Sequence, residues 1–306
     1  MKQIKKILFP TDYSQFANDA IEYAIAFTRE FKAKMYIMHV VELSTHDPSN
    51  PLYKKPNLEE YTDIKDFVKS STERQVRSTR VSSDKFQYEE LSVMGLSAGR
   101  EILNTAKDKD IDLIVMASHG AGFFERLLLG STTEMVMKEA SCPVLIVKKE
   151  EREFVDFDAD KIRLNSILCP IDFSECSKLT LKTAGFLAKK LGAEIVIINV
   201  VEEMFEMMDF IMENFSVDEF NEKRQSLAKN KLNEFCEKYI DEGVDYTSIV
   251  TRGNPKRGIA EYAKKNGIDL IVVGAYGRGE EDGIIFSGSI TTKVVKRADC
   301  PVLVVR

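Results

Sequence analysis

The sequence has little histidine and little cysteine, and both shortages argue against particular functions. Its three histidines have no regular spacing, so a histidine-based metal site is not expected. Its five cysteines form no C-x-x-C pair, and such an odd, scattered set is typical of free thiols in a reducing compartment. We therefore expect a cytoplasmic protein without a histidine-based metal site or a disulfide framework.

The chain also lacks long apolar runs and an excess of basic residues. No run approaches the roughly 20 apolar residues that span a bilayer, and the first ten residues lack a signal-peptide core of the usual length. The formal net charge is −6, whereas proteins that bind nucleic acid or anionic membranes are usually basic. Neither nucleic acid nor a membrane is expected as a partner.

What the sequence does contain is a long internal repeat. Ile7–Ser14 reads ILFPTDYS, and a similar ILCPIDFS begins 160 residues later at Ile167. The order of the repeated segments is kept and their offset stays between 157 and 160 residues, which indicates a tandem duplication. We expect domains at 1–148 and 166–306, joined by an exposed, charge-rich linker at 149–165. The other repeated segments are HVVE39–42 with NVVE199–202, IDLIV111–115 with IDLIV268–272, and CPVLIV142–147 with CPVLVV300–305.

Each unit alternates short apolar runs with helical periodicity. Residues 14–31 carry apolar side chains at i, i+3 and i+4 spacing and begin with Ser14, a good N-cap residue. Nearly continuous apolar strands separated by helices predict an α/β fold, with a parallel sheet covered on both faces. The predicted strands of the first unit are Lys6–Phe9, Lys34–Val41, Tyr88–Met94, Leu113–Ala117 and Val144–Lys148.

An aspartate follows the first predicted strand of each unit, at Asp12 and Asp172. The carboxyl ends of the strands in an open parallel sheet border the crevice where such folds bind ligands. A carboxylate there can accept a hydrogen bond from an adenine amino group or a ribose hydroxyl. It can equally cap the helix that follows, and the residues alone leave both interpretations open.

A glycine-bearing loop, Met116–Ser131, lies between the fourth strand and the next helix, and a second copy runs from Gly274 to Ser289. Backbone N–H groups at a helix N-terminus are unpaired and favour anions, so this layout can hold a phosphate. Ser131-x-x-Glu134 also matches a capping box, which would explain Ser131 without a ligand.

Taken together, these motifs resemble the tandem form of the universal stress protein family. Its nucleotide-binding members show G-x2-G-x9-G-[S/T] in this loop and an aspartate after the first strand. The resemblance implies two tandem Rossmann-like (adenine nucleotide alpha hydrolase-like) domains, each a five-stranded parallel sheet of order 3-2-1-4-5 with helices on both faces. It further implies a pseudo-dimer within one chain, formed by pairing of the last strands (Val144–Lys148 and Val302–Arg306), with a further homodimer as an option.

The same resemblance assigns binding residues, with ATP or AMP as the ligand and Mg²⁺ as an optional companion. Ala117 stands at the first glycine of the motif, and ten residues rather than nine separate Gly277 from Gly288. The second loop also carries three acidic residues at 280–282, so the first copy is favoured as the triphosphate site. The implied residues are Asp12, the backbone of Val40, Ala117, Gly120, Gly130, Ser131 and Thr132 in the first unit, and Asp172, the backbone of Val200, Gly274, Gly277, Gly288, Ser289 and Thr291 in the second.

The expected function is that of a cytosolic stress-response protein that binds an adenine nucleotide as a sensing or regulatory module. The chain has no G-x-x-x-x-G-K-[ST] loop, no G-x-S-x-G elbow and no other convincing catalytic set, so slow ATP hydrolysis is the most that we expect. The alternative is a nucleotide-free interaction scaffold that uses the Met- and Phe-rich stretch Met204–Phe220 of the second unit.

Overall fold

The protein is described here by a computed structural model. The structure describes residues 3–42, 58–80, 86–120, 129–148, 154–156, 161–202, 217–277 and 289–306. They form two compact units. The first domain comprises Lys2–Lys149 with Val155–Ile162, and the second domain contains Arg163–Arg306.

The first domain is a parallel five-stranded sheet with four helices in its described part. Strand β1 pairs with β2 on one side and with β4 on the other, while β3 and β5 form the outer positions, so the order is β3-β2-β1-β4-β5. The elements are β1 (Lys6–Pro10), α1 (Gln15–Glu30), β2 (Lys34–Glu42), α2 (Leu58–Ser78), β3 (Tyr88–Gly95), α3 (Ala98–Asp108), β4 (Leu113–Ala117), α4 (Ser131–Glu139) and β5 (Val144–Val147).

The linker differs from the exposed connection that its charge predicts. It contains two short antiparallel strands, β6 (Val155–Asp156) and β7 (Lys161–Ile162), which lie against α1. Phe154, Val155 and Leu164 are buried. The expectation of an exposed linker is therefore wrong for these residues, because three apolar side chains outweigh the charged composition around them.

The second domain repeats the arrangement. Its pairings give the order β10-β9-β8-β11-β12, again entirely parallel. The elements are β8 (Ser166–Pro170), α5 (Glu175–Leu191), β9 (Glu194–Val201), α6 (Val217–Tyr239), β10 (Tyr246–Arg252), α7 (Pro255–Asn266), β11 (Leu270–Gly274), α8 (Ser289–Arg297) and β12 (Val302–Val305). Pairing between the last strands of the two domains stays a prediction.

Three strands are buried along their whole length. Every residue of β4, β5 and β12 is buried, as expected for strands covered by helices on both faces. The predicted cap of α1 is confirmed, because the Ser14 hydroxyl accepts a hydrogen bond from the Ala17 N–H at 3.2 Å. The predicted α/β class is confirmed. Of the Met- and Phe-rich stretch, residues 204–216 lie outside the described part of the chain.

All five cysteines are free thiols. Burial raises the pKa of the Cys142 thiol to about 12 and that of Cys236 to about 11. These two side chains therefore stay protonated at neutral pH and act as small apolar residues.

Candidate functional site

The turn after the first strand carries the same backbone strain in both domains. Tyr13 and Phe173 both lie in the left-handed region, with φ of 60° and 68°. A bulky residue rarely adopts this conformation, and it costs on the order of 1–3 kcal/mol unless the surroundings hold it in place. The same conformation occurs at equivalent positions of both domains. This indicates that it belongs to the turn and sets the direction of the aspartate before it.

The cap of the following helix is the serine, not the aspartate. Ser14 and Ser174 each accept the N–H of the third residue beyond them. The aspartates lie one step earlier: Asp12 Oδ1 accepts the Ser14 N–H at 3.0 Å, and Asp172 Oδ1 accepts the Ser174 N–H at 3.0 Å. One carboxylate oxygen thus fixes the turn. The simple capping interpretation does not explain the aspartates.

The second carboxylate oxygen of each aspartate faces the glycine loop. A Cβ placed on Gly120 would lie 2.5 Å from Asp12 Oδ2, and one on Gly277 would lie 2.8 Å from Asp172 Oδ2. No real side chain fits at these separations, so both positions require glycine while the carboxylate stays in place. The two motifs found in the sequence therefore meet in space, in both domains.

In the second domain, two serine hydroxyls donate to the carboxylate. Asp172 Oδ1 also accepts the hydroxyls of Ser174 and Ser177, each at 2.6 Å. The residue that corresponds to Ser177 in the first domain is Ala17, which has no hydroxyl to donate. Ser177 therefore gives Asp172 a hydroxyl donor that Ala17 cannot give Asp12.

The second strand of each domain extends past the end of the first strand, beside the aspartate. Strand β1 ends at Pro10, opposite Met38, and the Thr11 N–H donates to the Met38 carbonyl at 2.8 Å. Peptide groups two residues apart in a strand face the same side, so the groups of Val40 point past the end of β1. The same holds for Val200, because Ile171 N–H donates to the Ile198 carbonyl at 2.8 Å. Both backbones can therefore bond a planar base.

Side chains tie this strand end to the turn. His39 Nδ1 lies 2.8 Å from the Thr11 carbonyl oxygen, and its ring stacks on Tyr13 at 4.8 Å between centroids. In the second domain the amide of Asn199 donates to the Ile171 carbonyl at 2.7 Å. Two different side chains thus make the same connection, which keeps the strand end and the aspartate in a fixed relation.

The start of α4 corrects the capping-box interpretation of Ser131. The N-cap is Gly130, whose N–H donates to the Ser118 carbonyl at 3.0 Å, and Ser131 is the first residue of the helix. Glu134 pairs with Lys138 at 2.6 Å. Ser131 is exposed in the first turn, beside N–H groups that have no partner within the helix. Thr132 follows it and is half-buried.

A threonine in each last helix connects the helix to the strand before the loop. Thr133 Oγ1 donates to the Ala117 carbonyl at 2.9 Å, and Thr291 Oγ1 donates to the Gly274 carbonyl at 2.6 Å. The hydroxyl proton of Thr291, predicted as a ligand group, is therefore committed to the protein backbone. Sequence analysis missed Thr133, although it stands 158 residues before Thr291.

The methyl group of Ala117, which stands at the first glycine of the motif, has space on the side of a helix. A Cβ on the equivalent Gly274 would lie 2.8 Å from Cys176 Sγ and 3.2 Å from Thr180 Oγ1, both on α5. The corresponding residues on α1 are Phe16 and Ala20. The comparison indicates that the methyl group of Ala117 packs toward a helix rather than into the crevice, and Ala117 is indeed buried.

A cavity of about 580 Å³ opens at this place in the second domain, which is within the size range of small-molecule sites. It brings together five of the predicted residues and adds a face of α6 that sequence analysis missed. Ser289 stands at the first position of α8, and Gly288 lies outside the described residues. The predicted residues that line the cavity are Asp172, Val200, Gly274, Gly277 and Thr291, and the α6 residues are Arg224, Leu227, Ala228 and Lys231.

His119 of the first loop is held by its neighbour. Its Nδ1 lies 2.7 Å from Ser118 Oγ, and its ring lies 5.8 Å from that of Phe16. Burial and the charge of Lys148 lower the pKa of His119 below its ordinary value, so the imidazole is neutral at neutral pH. It can contribute a hydrogen bond to a ligand but not a positive charge.

The described residues offer neither a metal cluster nor a membrane-spanning helix. They contain no group of three or more His, Cys, Asp or Glu side chains arranged to hold a metal ion. Among the helices within the described ranges, none combines the length and the apolar character that a membrane crossing requires.

The sequence model of the universal stress protein family matches the chain twice, over residues 3–148 and 164–306. A universal stress protein of Methanocaldococcus jannaschii is 34% identical over 151 residues, which is 49% of this chain and 85% of that protein. One from Mycolicibacterium smegmatis is 30% identical over 210 residues, 69% of this chain and 66% of that protein. The crystal structure of one from Archaeoglobus fulgidus shares the fold, with a TM-score of 0.68 and 22% identity over 99% of this chain and 97% of that one.

Proposed function

The chain belongs to the universal stress protein family, and from this premise we propose that it is a cytoplasmic stress-response protein that binds an adenine nucleotide, ATP or AMP, in each domain. The observation that carries the proposal is the duplicated contact between the aspartate after the first strand and the glycine of the phosphate loop. A nucleotide that crosses the strand ends would place its base beside the aspartate and its phosphates at the start of α4 or α8.

Each part of the site offers a complementary group. The carboxylate of Asp12 or Asp172 accepts from an amino or hydroxyl group, and the backbone of Val40 or Val200 offers a donor and an acceptor for the base. Ser131, exposed in the first turn of α4, adds a hydroxyl beside the helix N–H groups. These groups bind and orient a ligand, so we propose a sensing or regulatory module rather than an enzyme with rapid turnover.

The first test asks whether a nucleotide binds at all. The purified protein is denatured, its supernatant is analysed for adenine nucleotides, and the emptied protein is titrated with ATP and Mg²⁺ by calorimetry. We expect micromolar binding, which corresponds to about −8 kcal/mol. Absence of both a co-purified nucleotide and a heat of binding would overturn the proposal.

The second test assigns the sites. We expect Asp12→Ala and Asp172→Ala each to weaken one class of site about tenfold or more, because a hydrogen bond to a charged group is lost. Gly120→Ala and Gly277→Ala should do the same by displacing the carboxylate. Asp241→Ala, at an exposed position away from the strand ends, is the control and should leave binding unchanged. Loss in the Asp172 variant alone would make the second domain the main site, contrary to the preference that the loop spacing suggests.

A further inference from the structure

One face of α6 places two cations in the second-domain cavity. Arg224, Leu227, Ala228 and Lys231 all line it, at the i, i+3, i+4 and i+7 positions that form a single helix face. Because β8 lies between β9 and β11 in the sheet, α6, which follows β9, borders the cavity on the side away from α8. The cationic face and the first turn of α8 therefore border the cavity on different sides.

The corresponding positions of α2 in the first domain are uncharged. The residues 160 positions earlier are Ile64, Phe67, Val68 and Ser71. The correspondence is supported by contacts, because Tyr13 meets the Phe67 ring at 6.3 Å and the Val68 carbonyl at 3.2 Å, while Phe173 meets Lys231. The first domain thus has uncharged residues at the four positions where the second domain has two cations.

The two cations remain available to a ligand. Lys231 Nζ lies 4.5 Å from the centroid of the Phe173 ring, which holds the ammonium beside the strained turn. Arg224 Nη1 donates to the Glu202 carbonyl at 2.8 Å, so most of its five N–H groups are unused by this contact. Within the described part of the chain, neither side chain forms an ion pair with a carboxylate. A cation on a cavity wall without a counter-ion favours an anionic ligand group.

We infer that the second-domain cavity takes an adenine nucleotide that carries a second anionic group, separate from its 5′-phosphates, and that Arg224 and Lys231 bind this group. The inference rests on the proposed function, which places the 5′-phosphates at the start of α8. A phosphate on the ribose 2′ or 3′ oxygen has the required chemistry. The first domain has no cations at the corresponding positions. It therefore binds nucleotides with and without such a group equally well.

The test compares AMP with adenosine 2′,5′-bisphosphate and adenosine 3′,5′-bisphosphate by calorimetric titration. All variants are made in the full chain with Asp12→Ala, so that the second domain dominates, and Asp12→Asn serves if that background unfolds. We expect one of the bisphosphates to bind about tenfold or more tightly than AMP. Lys231→Met and Arg224→Met should each remove most of this advantage over AMP, because a cation that binds the second phosphate is lost.

Lys229→Met is the matched control, because Lys229 is an exposed lysine of the same helix that does not line the cavity. It should leave both affinities unchanged. Equal binding of AMP and both bisphosphates, or an equal effect of the control, overturns the inference and leaves the proposed function standing. If none of the three nucleotides binds even without the Asp12 substitution, the proposed function itself fails.

Discussion

The two domains hold the helix beside the site by different chemistry. In the first domain the buried Gln75 accepts the Thr11 hydroxyl at 3.0 Å and donates to Asn18 Oδ1 at 2.8 Å. In the second domain the residue 160 positions later is Phe235, whose ring packs edge-on against Phe173 at 5.7 Å. The same arrangement of helix and strained turn is thus stabilised by a polar network in one copy and by aromatic packing in the other.

The two domains also differ in the residue at the strained turn, because Tyr13 has a hydroxyl that Phe173 lacks. The hydroxyl of Tyr13 contacts Thr72 Oγ1 at 3.0 Å and the Val68 carbonyl at 3.2 Å, and burial raises its pKa. Phe173 has no hydroxyl, and Lys231 lies over its ring instead. The backbone of the site is thus the same in both domains, although the side chains of α2 and α6 that face the turn differ in chemistry. The two domains can therefore differ in ligand without differing in fold.

The largest predicted loss of stability distinguishes the aromatic packing of Phe235 from the polar network of Gln75. Phe235→Ala should lower the free energy of unfolding of the second domain by about 3–5 kcal/mol, since a buried aromatic ring is removed. Gln75→Ala should cost the first domain less, about 1–3 kcal/mol, mainly by leaving buried polar groups without partners. Urea unfolding of the full chain measures both. A larger cost for Gln75→Ala would show that the polar network dominates.

An intermediate loss of stability is expected at Gly274, where α5 approaches β11. Gly274→Ala should cost about 1–3 kcal/mol, because its methyl group would overlap Cys176 Sγ. The cost should fall in a Cys176→Ala background, as measured by a double-mutant cycle. Ala117→Gly, the opposite change in the first domain, should cost only about 0.5–1 kcal/mol. If Cys176→Ala brings no relief, the predicted direction of the methyl group is wrong.

The smallest predicted effect is a difference in acid sensitivity. The pKa of His119 is lowered in the folded state from the ordinary 6.5, so the unfolded chain binds the proton more readily. Its contribution to stability is present above pH 6.5 and is lost as the pH falls through the lowered folded value. His119→Tyr, which copies Tyr276 of the second domain, should reduce the shift of the unfolding midpoint between pH 7.5 and 5.5. An unchanged shift would contradict this assignment.

The sequence predicted the fold well because the repeat and the apolar strands are local, redundant signals. It also identified the aspartates and glycines that meet at the strand ends. It placed the N-cap of α4 one residue late, because Ser131 fits a capping box while the actual cap, Gly130, is set by a backbone bond to Ser118. The face of α6 was not predicted, since the register of that helix against the turn depends on contacts such as the one with Phe235.

The threonine bonds across the loop have a consequence for loop length. Thr133 and Ala117 are 16 residues apart, whereas Thr291 and Gly274 are 17 apart. Both bonds close the chain into a ring, and the entropy cost of closing a flexible ring rises by only about 0.6 kcal/mol for each doubling of its length. The extra residue in the second copy therefore costs less than about 0.1 kcal/mol on this scale. The two loops are expected to be exchangeable segments, which can be transplanted between the domains without unfolding either.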